Sequence, residues 1–123
     1  MQRGFAIIAA IFLLVVLAAL GAFMVTFSNT QHLTSAQDVQ GSRAYWAARA
    51  GLEWGIAGTT ATCPTSPTTL NINSFGVVVT CALQTYSESD ATIRIFKLSS
   101  VASTGSIGSL GFIERSVSAS IEK

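Results

Sequence analysis

Hydrophobic and polar positions divide the chain into three stretches with different periods. From Phe5 to Val25 the sequence FAIIAAIFLLVVLAALGAFMV carries no charge, no proline and no strong hydrogen-bonding side chain. As a helix, ~21 residues at ~1.5 Å each span ~32 Å, against a hydrocarbon core of ~30 Å. Helix is the required form, because lipid offers no partner to an open backbone N–H or C=O. A helix apolar on every side could instead be the core of a soluble protein, but the remaining residues are too few to surround it.

Beyond Val25 polarity rises, and the stretch TFSNTQHLTSAQDVQGSRAYWAARAGLEWGIAG contains no proline. One continuous helix of ~50 residues, on the order of 80 Å, is therefore predicted as far as about Gly58. Leu33, Ala36, Val39, Ala44, Ala47 and Ala50 recur at helical spacing and predict a narrow apolar stripe facing a head domain. Ala44, Ala47, Ala48, Gly51 and Gly55 are small enough for strands to approach closely. Tyr45, Trp46, Leu52, Trp54 and Ile56 are expected to supply bulk. Gly21 and Gly41 each weaken the helix by roughly 1 kcal/mol relative to alanine and mark points where it can bend.

In the third stretch, Pro64 and Pro67 bracket the loop TCPTSPTT, and apolar β-branched runs follow. GVVVTCALQTY places Val77, Val79, Cys81 and Leu83 on one face. ATIRIFKLSSVAS puts Ile93 and Ile95 on one face, then Phe96 and Leu98 on the other, which predicts either a bulge or a strand covered on both sides. FIERSVSASIE alternates cleanly, with Ile113, Val117, Ala119 and Ile121 opposed to Glu114, Ser116, Ser118 and Ser120. Tyr86 to Asp90 and the glycine-rich Thr104 to Gly111 read as turns of an antiparallel meander. The predicted fold is α+β, a small antiparallel sheet packed on the helix, with a membrane half at 5–25, an extracytoplasmic half at 26–58 and a sheet head at 59–123.

Composition narrows the function classes. Half of the 123 residues are hydrophobic, 11% are charged and the formal net charge is +1, where a soluble domain carries about a quarter charged. A disordered tail and a charge-driven nucleic-acid binder are excluded. Arg94, Phe96 and Lys97 sit in one strand and read as ordinary sheet, so no nucleic-acid partner is expected. Arg3 alone precedes the apolar run and no Lys or Arg follows until Arg43, which orients the N-terminus to the cytoplasm and the head outside. A cleaved secretory signal ending near Ala22 is the alternative, but the run is longer than the usual ~7–15 residues of such a signal.

Outside the cytoplasm the two cysteines, Cys63 and Cys81, are expected to form a disulfide. A closed loop of ~19 residues contributes about 3 kcal/mol in the chain-entropy model, and a head of ~65 residues needs such a staple. A zinc site needs more ligands than these cysteines and the single His32, which reads as an exposed helix residue. No phosphate loop, dinucleotide fingerprint or nucleophile–base set is present in the sequence, so neither an enzyme nor a cofactor is expected.

The opening Gln2-Arg3-Gly4-Phe5, a short basic leader ending in glycine before phenylalanine and a long apolar helix, resembles the signal of type IV pilins and type II secretion pseudopilins. The resemblance implies a leader at 1–4, cleavage by prepilin peptidase between Gly4 and Phe5, N-methylation of Phe5, and retention of the helix. The family's glutamate at the fifth mature position would fall at Ala9. Without that carboxylate the chain is similar to minor subunits of the PilX type and to K-type pseudopilins. RGFAIIAAIFLLVVLAALGAFMV with YWAARAGLEWG most resembles the MshP group, minor pilin-like proteins of mannose-sensitive haemagglutinin (MSHA) pilus biogenesis.

What this implies is a pilin-like subunit in the bacterial inner membrane, single-pass with a periplasmic head, that enters or primes a filament, with a tip or initiation position favoured by Ala9. The implied partners are other pilins and minor pilins, the prepilin peptidase and the pilus assembly machinery. The stretch Ala47 to Glu53 resembles the alanine-rich segment ending in Ala-Gly-Leu-Glu of many minor pilins. Arg49 and Glu53, four apart, are then either a contact to a neighbouring subunit or an exposed ion pair. The alternative function is a bitopic membrane protein whose periplasmic head binds a partner without entering a filament.

Overall fold

A computed structural model describes residues 3–123 of the chain. Helix α1 runs Arg3–Gly58, followed by strands β1 (Thr68–Ile72), β2 (Phe75–Glu88), β3 (Ala91–Thr104) and β4 (Ile113–Glu122). The chain forms two compact units, Met1–Ala36 and Gln37–Lys123. In the first unit α1 passes Gly21 without a break. Its large apolar side chains are exposed, Phe5 at 79%, Phe12 at 67% and Met24 at 71%. Past the apolar run, Thr26, Thr30 and Thr34 each donate a hydroxyl hydrogen bond to the carbonyl four residues back, at 3.1, 3.0 and 2.9 Å. These threonines thereby satisfy their own donors on the helix.

In the second unit the last part of α1 packs on one face of a four-stranded antiparallel sheet of order β1-β2-β3-β4. The fold is α+β and pilin-like, as the pattern predicts. The contact is made of small residues on the helix and larger ones on the sheet. Gly41, Ala44, Ala47, Ala48, Gly51, Leu52 and Gly55 are buried on α1, facing Phe75, Val77, Val79, Phe96, Leu98 and Ala102. A Cβ on Gly51 would lie 2.5 Å from Val77 Cγ1 and 2.6 Å from Ser100 Oγ, and one on Gly55 would lie 2.9 Å from Leu98 Cδ2. Glycine is required there for space, not for backbone freedom.

Several expectations are corrected. The stripe shifts: Leu33, Ala36, Val39 and Ala50 are exposed, while Gly41, expected as a weak point, is buried beneath the Arg115 guanidinium within an unbroken helix. Tyr45, Trp46 and Trp54 are 40%, 61% and 42% exposed and do not fill the core. Bulk comes from the strands instead, because a helix approached this closely has no room for large residues on its contact face.

The sheet has a strand the alternation pattern missed. TTLNI forms β1, so Thr68 and Thr69 leave the proline loop and pair with Val79 and Val78. The β1–β2 turn is Asn73-Ser74, both with positive φ (52° and 69°), the backbone of a tight two-residue hairpin without the usual glycine. Ser89-Asp90 makes the same kind of turn (φ 39° and 75°), so Tyr86, Ser87 and Glu88 belong to β2 and not to a turn. β3 pairs with β2 residue for residue from Ala91 to Ser103, with no bulge. Its far face is not covered either. Phe96, Leu98, Ser100 and Ala102 point at the helix and are buried, while Ile93 and Ile95 keep partial exposure on the open face.

Candidate functional site

At the N-terminal end, Gly4 has open space where a Cβ would project, and Phe5 is largely exposed. Met1, Gln2 and the side chain of Arg3, which complete the expected leader at 1–4, lie outside the described residues. From Gly4 onward α1 is long and apolar enough to cross a membrane, and none of its most apolar window is covered by the rest of the chain. Burying these side chains in lipid is favourable by about 0.3–0.6 kcal/mol for each Leu, Ile, Phe or Val near mid-bilayer. Ala9 sits on this segment with no acidic group beside it in sequence.

On the opposite side of α1 from the sheet, the second unit shows a polar-aromatic face. Tyr45 and Trp46 meet edge to face with centroids 5.7 Å apart. The Arg49 guanidinium lies 5.7 Å from the Trp46 ring centroid and its Nε is 3.4 Å from Glu53 Oε1. Tyr45 first, and Glu53 second, raise the pKa of Arg49 above its ordinary value, so the group is a cation at any physiological pH. Arg49 and Glu53 are therefore brought together, as an exposed pair. The aromatic partners of Arg49 went unread in the sequence, although Trp46 at i−3 and Tyr45 at i−4 stand at helical contact spacing.

Cys63 and Cys81 are joined in a disulfide across 18 positions of sequence. It ties the segment that leaves α1 to the middle of β2. The same corner is held by Ser66, whose hydroxyl accepts a 2.9 Å hydrogen bond from the Cys81 N–H. Thr59, buried just past α1, donates its hydroxyl to the Gly55 carbonyl at 2.8 Å, and the Lys123 ammonium donates to the Thr59 carbonyl. A cation at these last carbonyls suits the negative end of the helix dipole.

Among the described residues no group of His, Cys, Asp and Glu is placed to hold a metal ion, and His32 is exposed on α1. Phe96 is buried within the sheet, and Arg94 and Lys97 project from opposite faces of β3. The loop between β3 and β4 carries Ile107 and Leu110, 90% and 93% exposed, with the Leu110 carbonyl held by Gln37 Nε2 at 3.3 Å. No protein-family profile, curated protein or solved structure matches the chain.

Proposed function

We propose that this chain is a minor pilin-like subunit, held in the bacterial inner membrane by the first part of α1 and delivered into, or priming, a type IV pilus of the MSHA type. The reading is supported chiefly by one observation. A single unbroken helix is exposed and apolar at its start and covered by a small antiparallel sheet over its last part. That is the division of labour a subunit needs if it is stored in lipid and assembled through lateral contacts between helices. The leader-like Gln2-Arg3-Gly4-Phe5 adds the processing step: cleavage after Gly4 and methylation of the Phe5 amine. Arg3 before the apolar run and the disulfide after the helix agree with a cytoplasmic N-terminus and a periplasmic head.

In this reading Ala9 sets the position. A carboxylate at that point in lipid needs a cationic partner on a neighbouring subunit, since an unpaired charge at that depth is costly. Alanine makes no such demand, which suits a tip or initiation position better than a repeated one. The Arg49, Glu53 and Trp46 face is the surface offered to a neighbour beyond the membrane.

Mass spectrometry of the protein isolated from its native membrane tests the reading. The expected N-terminus is N-methylated Phe5. An unprocessed leader on a stable membrane protein favours the bitopic binding protein instead, and a chain starting after Ala22 identifies a released, secreted module.

A further inference from the structure

The two ends of the sheet differ in chemistry. At one end the Leu110 carbonyl, in the β3–β4 loop, accepts from Gln37 at the start of the second unit; at the other the Lys123 ammonium donates to the Thr59 carbonyl just past α1. The loop therefore lies at the end of the head that comes first along the chain after the apolar run. No charged residue occurs in 98–113, nor in the Asn73-Ser74 turn that the ladder places at the same end. The opposite end carries Glu88, Asp90, Arg94, Glu122 and Lys123.

Ile107 and Leu110 are the most exposed large apolar side chains among the described residues, at 90% and 93%. They stand on a repeated unit, Ser106-Ile107-Gly108 and Ser109-Leu110-Gly111. In the first turn the Ser106 carbonyl accepts from the Ser109 N–H and hydroxyl, at 3.0 and 2.7 Å. In the second the Ser109 carbonyl accepts from the Phe112 N–H at 3.1 Å. Gly108 (φ 87°) supplies the positive φ that the position after Ile107 requires. At the neck a Cβ on Gly105 would lie 2.7 Å from the Gly111 carbonyl oxygen, so the loop closes on itself. With Gln37 on Leu110, three carbonyls of the loop have donors within the protein. The loop presents hydrocarbon while satisfying much of its own backbone, as entry into an apolar layer demands.

Scattered apolar residues are ordinary on a protein surface. What distinguishes these two is where the chain ties them. Between Arg3 and Asp38 α1 has no Asp, Glu, Lys or Arg, and Phe27 and Leu33 continue exposed apolar area past Val25. From Val25 to Gln37 the helix contour is on the order of 18 Å, of which the headgroup layer takes about 5–8 Å. Contour length is an upper limit on height whatever course α1 takes. Gln37 thus stands on the order of 10 Å or less beyond the headgroups, a gap that the projecting loop and an ordinary helix tilt of ~20° reduce.

Resting on the reading of Phe5 to Val25 as membrane-spanning, we propose that the β3–β4 loop is a second membrane contact. Ile107 and Leu110 enter the interfacial layer of the bilayer that α1 crosses. Lipid is favoured over a protein partner because the two side chains project as separate tips, with nothing within 4 Å of a Cβ on Gly108 or Gly111. A protein interface needs shape and polar complementarity, whereas an interfacial layer accepts any apolar protrusion. Asp38, Glu114 and Arg115 are the first charges beside the loop and mark the water side of that layer.

Fluorescence quenching on the full chain in phosphatidylcholine–phosphatidylglycerol vesicles tests the contact. The disulfide occupies both native cysteines, so single exposed sites can carry a nitrobenzoxadiazole label: Ile107→Cys in the loop, Ser87→Cys at the opposite end of the sheet and Phe12→Cys in the apolar run. A lipid nitroxide near the headgroup end of the acyl chain should quench the Ile107 label at least about threefold more than the Ser87 label. Adding Leu110→Asp should remove most of that difference. Quenching at Phe12 but not at Ile107 overturns the loop contact and leaves the membrane reading standing. Absence of quenching at Phe12 overturns the membrane reading, and the loop contact with it. Equal quenching at Ile107 and Ser87 overturns the assignment to this end of the head. A blue-shifted Ile107 label that the lipid nitroxide does not quench overturns it in favour of a protein neighbour.

Discussion

The two parts of α1 solve opposite packing problems with opposite residues. In the first unit the large apolar side chains are exposed, Leu14 at 67% and Phe23 at 68%. In the second unit the residues turned toward the chain's own core are mainly glycine and alanine, while the large ones there, Trp46 and Trp54, point away from it. A helix meant for lipid gains from side-chain area on every side. A helix meant to support a sheet gains from having little on one side, so that strand side chains can reach its backbone. The same element thus carries two rules, and hydrophobicity alone would misjudge the second part.

Substitutions can break this contrast. Phe96→Ala, at the largest fully buried side chain, should destabilise the head by about 4 kcal/mol. Leu14→Ala should leave head stability unchanged; both are read by urea titration of the full chain in detergent with tryptophan emission. Leu14→Arg moves the cost to the other environment, opposing membrane insertion by about 3 kcal/mol; the readout is the fraction of chain resisting alkaline extraction from membranes.

Gly51→Val inverts the size rule where a Cβ already meets Val77 Cγ1 and Ser100 Oγ. Overpacking should cost about 2–3 kcal/mol in the same titration, whereas Gly21→Val, in open space, should not weaken the head. Ser100→Ala should stabilise the head by about 1 kcal/mol, because the Ser100 Oγ is buried without a hydrogen-bond partner and that unmet demand disappears with the oxygen. Last and smallest, Glu53→Gln removes a solvent-exposed pairing with Arg49 and should leave the melting temperature of the isolated protein unaltered. A large drop would mean that the Arg49 and Trp46 face supports the fold.

The sequence by itself determined the parts governed by local periodicity and covalent chemistry. The apolar run of Phe5 to Val25 is uniform and long enough to cross a bilayer, and helix is the form such a run must take there. The helix limit near Gly58, the clean alternation of β4 and the pairing of Cys63 with Cys81 were also legible. Arg49 and Glu53 could be paired from their spacing.

Tertiary structure decided what depends on partners distant in the chain. β1 is short and polar, and only its ladder to Phe75 through Val79 makes TTLNI a strand. Ile93 and Ile95 suggested a bulge, yet the unbroken register with β2 leaves them on an uncovered face. Gly41 looked like a hinge until Arg115 lay across it, and Trp46 looked like core until the sheet chose the other side of the helix. Which face of a helix is buried, and which edge of a sheet is left open, are properties of how elements meet. Residue spacing fixes only which faces are available.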